Sequence, residues 1–388
     1  MLARVAENVF WLSRYLERAE STARLINVHD RLLMDLPDHD RRAGWQSLVS
    51  IAGMDRAFSN ANERADEASV TRFLLADPGN AGSLINAANA IHANLRSSRD
   101  TLPQALYERI NELCLTIRRD VERALAPEPR QRFLMVIEEK VLAITGTMDG
   151  SLSHDVGYLL IRMGCFVERA DMTSRILDVR AATLPVRPAA DHFEPFDERE
   201  WMSVLRSVSA YQMYRLHVRH PINGPDVLRF LLHDERLPRA YHFCLDHLGR
   251  CLEQLGNNRA PLDALGRLQR RLAEPDLGTL AHDARALHGY LDDLQSGLIE
   301  VTDAIAAAYF PPPEAPAEVP VAHPHEGRAD DDGNAGTRER DRDAAARAAG
   351  ANGVAESARR GAARAAAASG SSGEEGGVPP DSSGEPHP

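Results

Sequence analysis

Lysine is almost missing from this chain: Lys140 is the only one among 45 basic residues, and arginine supplies the rest, a bias of genome composition. Aromatic residues make up 5%, and no segment alternates apolar and polar residues for long enough to form a half-buried strand, so there is little material for a sheet. Cys114, Cys165, Cys244 and Cys251 form no CxxC pair. They read as small buried thiols in a reducing cytosol rather than metal or redox ligands. No run approaches the ~18 consecutive apolar residues of a membrane helix. The start lacks a basic flank followed by an uninterrupted apolar stretch, so no signal peptide is expected. A cytoplasmic protein without membrane association is therefore expected. The net charge of −12 argues against a nucleic-acid binder relying on overall positive charge. A Walker loop, GxGxxG, GxSxG, Cys-His pairing and the Glu-x-x-His pattern of di-iron bundles are all missing, so no cofactor and no metal are expected. His217 and His220 precede a turn and read as surface residues.

What the chain does have is helical periodicity. With 388 residues, 43% of them hydrophobic, it can bury a large core. Val5, Val9, Leu12, Leu16, Ala19, Ala23 and Ile26 recur at spacings of three and four, predicting a first helix from near Leu2 to about Leu33. A loop over Asp38-His39-Asp40 follows, then helices around Trp45 to Val49, over Val70 to Asp77, Ala81 to Arg96, Pro103 to Leu125 with Thr101 as its cap, and Pro129 to Thr147. A long last helix is expected from near Leu277 to Phe310. Past Phe310 the composition shifts abruptly to Pro, Ala, Gly, Ser and charged residues, so 311–388 is expected to be a disordered low-complexity tail.

The stretch Leu16 to Val28 returns as Val167 to Val179, with Glu, Arg, Ala, Thr, Arg and Val at matching places. Trp201 to Leu205 echoes Trp45 to Val49, and Val227 to Asp234 echoes Val70 to Asp77. The offsets are 151, 156 and 157 residues, growing in chain order. The predicted fold is an all-α helical bundle over 1–310, built from two tandem halves of about 1–150 and 151–310.

The repeated segment carries the candidate site: Glu17, Arg18, Glu20 and Arg24 in one copy, Glu168, Arg169, Asp171 and Arg175 in the other. Glu20 with Arg24, and Asp171 with Arg175, are four apart and can pair within a helix. Glu17 and Glu168 need partners elsewhere. A pseudo-two-fold arrangement predicts the reciprocal pairs Glu17 to Arg175 and Glu168 to Arg24. Such charges can form a paired structural network between packed helices, or converge on a pocket where arginine forks hold a carboxylate or phosphate and acids transfer protons. Asn94, Arg96, Arg99 and Asp100, clustered at a helix end, form a secondary candidate for anion binding.

Met1 to Glu20, reading MLARVAENVFWLSRYLERAE, closely resembles the opening of the bacterial alpha-E family, helical proteins named for their Glu-Arg motif and catalogued as a domain of unknown function. The segments Arg169 to Arg175, Asn94 to Asp100, and Leu291 to Gln295 through Tyr309-Phe310 resemble later landmarks of that family in the same order. The likeness covers 1–310 and departs at Ser13 and at Cys165-Phe166, where the family more often reads Gly-Arg-Tyr. It implies association with a circularly permuted ATP-grasp protein and a transglutaminase-like protein, hence a setting in which amide bonds are made or remodelled. Three roles fit: a non-catalytic subunit or scaffold of such a system, an enzyme with a Glu/Arg-lined pocket for a carboxylated substrate, or a ligand-binding bundle.

Overall fold

The computed structural model describes residues 3–34, 38–62, 64–182 and 195–311, all within one compact unit. The segment 312–388, read as a disordered tail, lies outside the described residues. In chain order the helices are α1 (Ala3–Met34), α2 (Asp38–Ile51), α3 (Asp55–Ala61), α4 (Glu67–Leu75), α5 (Leu84–Ser97), α6 (Gln104–Asp120), α7 (Pro127–Ser151) and α8 (Val156–Ala182). They continue as α9 (Pro195–Ser207), α10 (Tyr211–His217), α11 (Gly224–His233), α12 (Tyr241–Glu253), α13 (Arg259–Ala273), α14 (Leu277–Leu280) and α15 (Ala284–Tyr309). Among the described residues there is no strand.

α1 runs for 32 residues without a glycine or proline, so nothing interrupts its hydrogen-bond ladder. Its stripe is the core side of the helix: Val9, Leu12, Leu16, Ala19, Ala23 and Ile26 are all buried. α8 lies along it in the same direction, with Gly164 opposite Phe10 and Ser13, and Glu168 opposite Arg14 and Arg18. α5 and α7 pack on α1, joined by α6; α12 and α15 pack on α8, with α13 against both. The tryptophan helices cross over, α2 resting on α8 as well as α1, and α9 on α1 as well as α8. Trp45 and Trp201 are buried, and the Arg130 and Arg180 guanidiniums lie over their rings, 5.9 and 5.2 Å from the centroids.

Three local expectations are corrected. Asp38 to Asp40 open α2 instead of forming a loop, since residue types that favour turns also suit a helix's first turn, where backbone N–H groups have no intrahelical partner. Thr101 does not cap α6; its hydroxyl donates to the Ser98 carbonyl at 2.8 Å, within a short 3₁₀ turn. The last helix is broken: α14 ends at Leu280, and the Asp283 carboxylate accepts from the Arg285 and Ala286 amides to start α15 afresh.

The joint between α1 and α8 depends on the missing side chain of Gly164. A Cβ there would stand 2.4 Å from the Phe10 carbonyl oxygen and 2.2 Å from Ser13 Oγ, and the carbonyl cannot move without displacing α1. G164A is therefore expected to lower unfolding free energy by about 1–3 kcal/mol. G146A, in α7 with nothing within 4 Å of the added carbon, should gain about 0.5–1 kcal/mol. Urea denaturation of both variants checks the contrast.

Candidate functional site

The repeated Glu-Arg segments face each other across the α1–α8 joint. Glu168, fully buried, is held by two arginines of α1: Arg14 Nε donates to Oε2 at 2.9 Å, Arg18 Nε to Oε1 at 2.5 Å, and Arg18 Nη2 to Oε2 at 3.0 Å. The Arg14 guanidinium lies 4.9 Å from the Trp11 ring centroid and Arg18 lies 5.6 Å from that of Tyr15. Further along α8, Asp171 one turn on and Arg175 two turns on form a pair, Arg175 Nε donating to Asp171 Oδ2 at 2.9 Å.

The mirror-image arrangement surrounds Glu17. Arg169 Nε of α8 donates to Oε1 at 2.8 Å, and Cys165 Sγ donates to Oε2 at 3.2 Å. Arg239, from the segment between α11 and α12, donates to Glu17 Oε1 at 2.8 Å and to Glu20 Oε2 at 3.0 Å. Arg24 pairs with Glu20, and its Nε donates to the Ser207 carbonyl at the end of α9 at 2.6 Å. All eight residues of the repeated motif therefore lie along one joint. The exchange of acid and base between helices is real, but its register differs from the expected one. Glu17 meets Arg169 rather than Arg175, and Glu168 meets Arg18 rather than Arg24. Because the two helices run parallel and touch at Gly164, residue 17 comes level with 165–169, while Arg24 and Arg175 lie further on and turn to Glu20 and Asp171.

Arg14, Cys165 and Arg239 were not anticipated. Arg14 had a signal, since it sits one turn before Arg18 on the same face. Cys165 occupies the place in the second segment that Arg14 holds in the first, and it brings no charge; Arg239 makes up the difference from a loop 222 residues away in sequence, for which no local pattern exists. The second candidate group lies elsewhere. Arg96, Arg99 and Asp100 are exposed around the end of α5, with Arg99 over the Tyr107 ring at 5.7 Å.

Electrostatics match this geometry. Burial alone would raise the pKa of both central glutamates. Arg169 and Arg239 outweigh it at Glu17, and Arg18 and Arg14 at Glu168, so both carboxyls are held well below the ordinary range. Burial and the neighbouring Arg239 bring Arg24 down to about 10. Burial pushes the Cys165 and Cys244 thiols up to about 12, leaving them protonated and poor nucleophiles. Beside Glu17 and Cys165 lies a crevice of about 20 Å³, lined by Ser13, Leu16, Met148 and Arg162 among others, room for about one water. Among the described residues no three His, Cys, Asp or Glu side chains are grouped as metal ligands, and no helix is long and apolar enough to cross a membrane.

Alpha-E, a predicted alpha-helical domain with a conserved ER motif, matches residues 1–310. The chain belongs to the Alpha-E family. In this Alpha-E chain Glu17-Arg18 and Glu168-Arg169 form the reciprocal clamp of the α1–α8 joint. It is similar to the Uncharacterized protein Mb2597 of Mycobacterium bovis and the Uncharacterized protein MT2643 of Mycobacterium tuberculosis, each 26% identical over 78% of this chain and 36% of the relative. The Uncharacterized protein Rv2567 of Mycobacterium tuberculosis is 25% identical with the same coverage. The chain thus spans about a third of the length of these relatives, 36%. No solved structure matches.

Neutralising either central acid would leave guanidiniums buried without a counter-charge, so E17Q and E168Q are each expected to cost about 3–5 kcal/mol at neutral pH. Because the folded pKa values are depressed, this stabilisation is present above the unfolded glutamate value of about 4.3 and is lost as pH falls below it. Urea unfolding from pH 7 down to pH 3 should show the wild type weakening below about pH 4.3 and the E17Q/E168Q double variant responding much less.

Proposed function

We propose that this Alpha-E chain is a non-catalytic helical subunit or scaffold, made of two duplicated halves, that serves an ATP-grasp and transglutaminase-like system acting on amide bonds. The observation that carries the scaffold reading is the use of the motif's charges on one another: Glu17 and Glu168 are 4% and 0% exposed, Glu168 held by Arg14 and Arg18, and Glu17 by Arg169, Arg239 and the Cys165 thiol. That arrangement leaves them no reach toward a substrate. The partner classes come from the family resemblance, and the length of the mycobacterial relatives beyond the matched part is compatible with a domain that works beside others.

Several correspondences support the duplication. α2 rests on α8 while α9 rests on α1. The corners after them both turn through a left-handed residue, Gly53 with φ 68° and Ser209 with φ 53°. Arg24 reaches the end of α9 through Ser207, and Arg175 reaches the end of α2 at Gly53, each placing a cation at a helix C-terminus. α4 and α11, with their Arg-Phe-Leu-Leu runs, precede α5 and α12 in the same way.

Co-expression of the full chain with a tagged circularly permuted ATP-grasp protein tests the scaffold reading. Stable co-purification is expected, with no amide formation or hydrolysis by the isolated chain. Turnover by the isolated chain that E17Q abolishes without lowering its melting temperature would contradict it.

A further inference from the structure

Two charge clusters of the same make-up meet at the α1–α8 joint, and only one is closed. Glu17 and Glu20 stand with Arg24, Arg169 and Arg239; Glu168 and Asp171 stand with Arg14, Arg18 and Arg175. Each cluster therefore holds one guanidinium more than its carboxylates. Around Glu17 a third acid meets that excess. Glu138 of α7 accepts from Asn27 Nδ2 at 3.1 Å and lies within the electrostatic reach of Glu20, Arg24 and the exposed Arg31, and Arg24 is only 4% exposed.

Around Glu168 the cluster opens outward. Arg18 and Arg175 are 28% and 31% exposed, and each turns its Nε inward onto an acid of α8. Arg175 Nη1 rests against Gly53, where an added Cβ would stand 2.6 Å from it, so only a glycine lets the guanidinium come this close to the end of α2. The covering helix here is α15. Its His288 Nδ1 stands 2.5 Å from Asp178 Oδ1, and the carbonyl of Leu294 accepts from Tyr241, which lies within reach of the Asp171 charge. α15 thus runs antiparallel to α8, and two turns beyond His288 that register sets Gln295 level with the turn from Asp171 to Arg175. The Gln295 Nε2 is buried and has no hydrogen-bond partner among the described residues. α7 and α15 begin at Pro127 and Ala284, an alignment that puts Gln295 in the place of Glu138. The open cluster has an amide donor where the closed one has a carboxylate.

We propose that the outer edge of Arg18 and Arg175, with the Gln295 amide, binds a carboxylate supplied in trans, from a small free acid or from an acidic side chain of a peptide. Arginine forks and an amide N–H are matched to the two oxygens of that group. The choice of carboxylate over other anions rests on the correspondence of the two halves; the excess charge and the unmatched amide do not.

Isothermal titration of the isolated full chain at fixed ionic strength tests it, with glutarate, an amidated peptide containing one glutamate, and inorganic phosphate as probes. Saturable binding of glutarate or the peptide is expected, the tighter of the two identifying the source. R175Q should weaken binding by at least about tenfold. Q295E, which supplies the carboxylate from within, should abolish it and raise the melting temperature. Absence of saturable carboxylate binding, tighter binding of phosphate, or wild-type affinity in Q295E would overturn the proposal. None of these outcomes depends on co-purification with an ATP-grasp protein, so the two readings fail separately.

Discussion

Two carboxylates buried where two long helices touch impose the main constraint on this fold. A glutamate taken out of water at the centre of a bundle is costly unless its oxygens are answered by charged donors. Glu168 can be answered only if α1 presents Arg14 and Arg18 at its level, and Glu17 only if α8 presents Arg169 and the α11–α12 segment delivers Arg239. That requirement fixes the direction, register and closeness of α1 and α8, and through them the placement of every helix packed on either one. Attraction and desolvation nearly cancel in such networks, so their contribution lies less in net stability than in penalising other registers. The apolar stripes of α1 and α8 would tolerate sliding by a turn; the paired charges would not.

Cys165 stands 151 residues after Arg14, the spacing that separates the two Glu-Arg segments, and the network around it works by matching charge rather than by a fixed list of residues. Glu17 receives one guanidinium from α8, Arg169, and a second from Arg239, which also reaches Glu20. The thiol fills the space and donates a weak hydrogen bond. The result is equal charge on both sides of the joint with different chain segments supplying it. The outer edges then differ: Arg24 ends on the Ser207 carbonyl in a sealed corner, while Arg175 ends beside Gly53 at the surface.

Much of this was legible in the sequence because helices announce themselves locally. The three-and-four spacing from Val9 to Ile26 identified the buried face of α1, and the four-residue separations predicted the Glu20–Arg24 and Asp171–Arg175 pairs. Two of the failures share a cause. Partner choice for Glu17 and Glu168 depends on where two helices cross, a contact that Gly164 permits by letting the Phe10 backbone come close; a single glycine within an apolar run carries no such message by itself. Arg239 lies in a connection, where no periodicity marks a buried role. The break at Asp283 was hidden for the opposite reason, because the apolar spacing continues across it while a capping carboxylate restarts the helix.

The central claim is that Glu168 and Arg18 act on each other across the α1–α8 joint as a buried, coupled pair. A double-mutant cycle of E168Q and R18Q, measured by urea unfolding of the full chain at neutral pH, tests it most directly. The account predicts a coupling energy of about 2 kcal/mol or more, with the double variant less damaged than the sum of the singles. Additive effects, with coupling below about 0.5 kcal/mol, would contradict it.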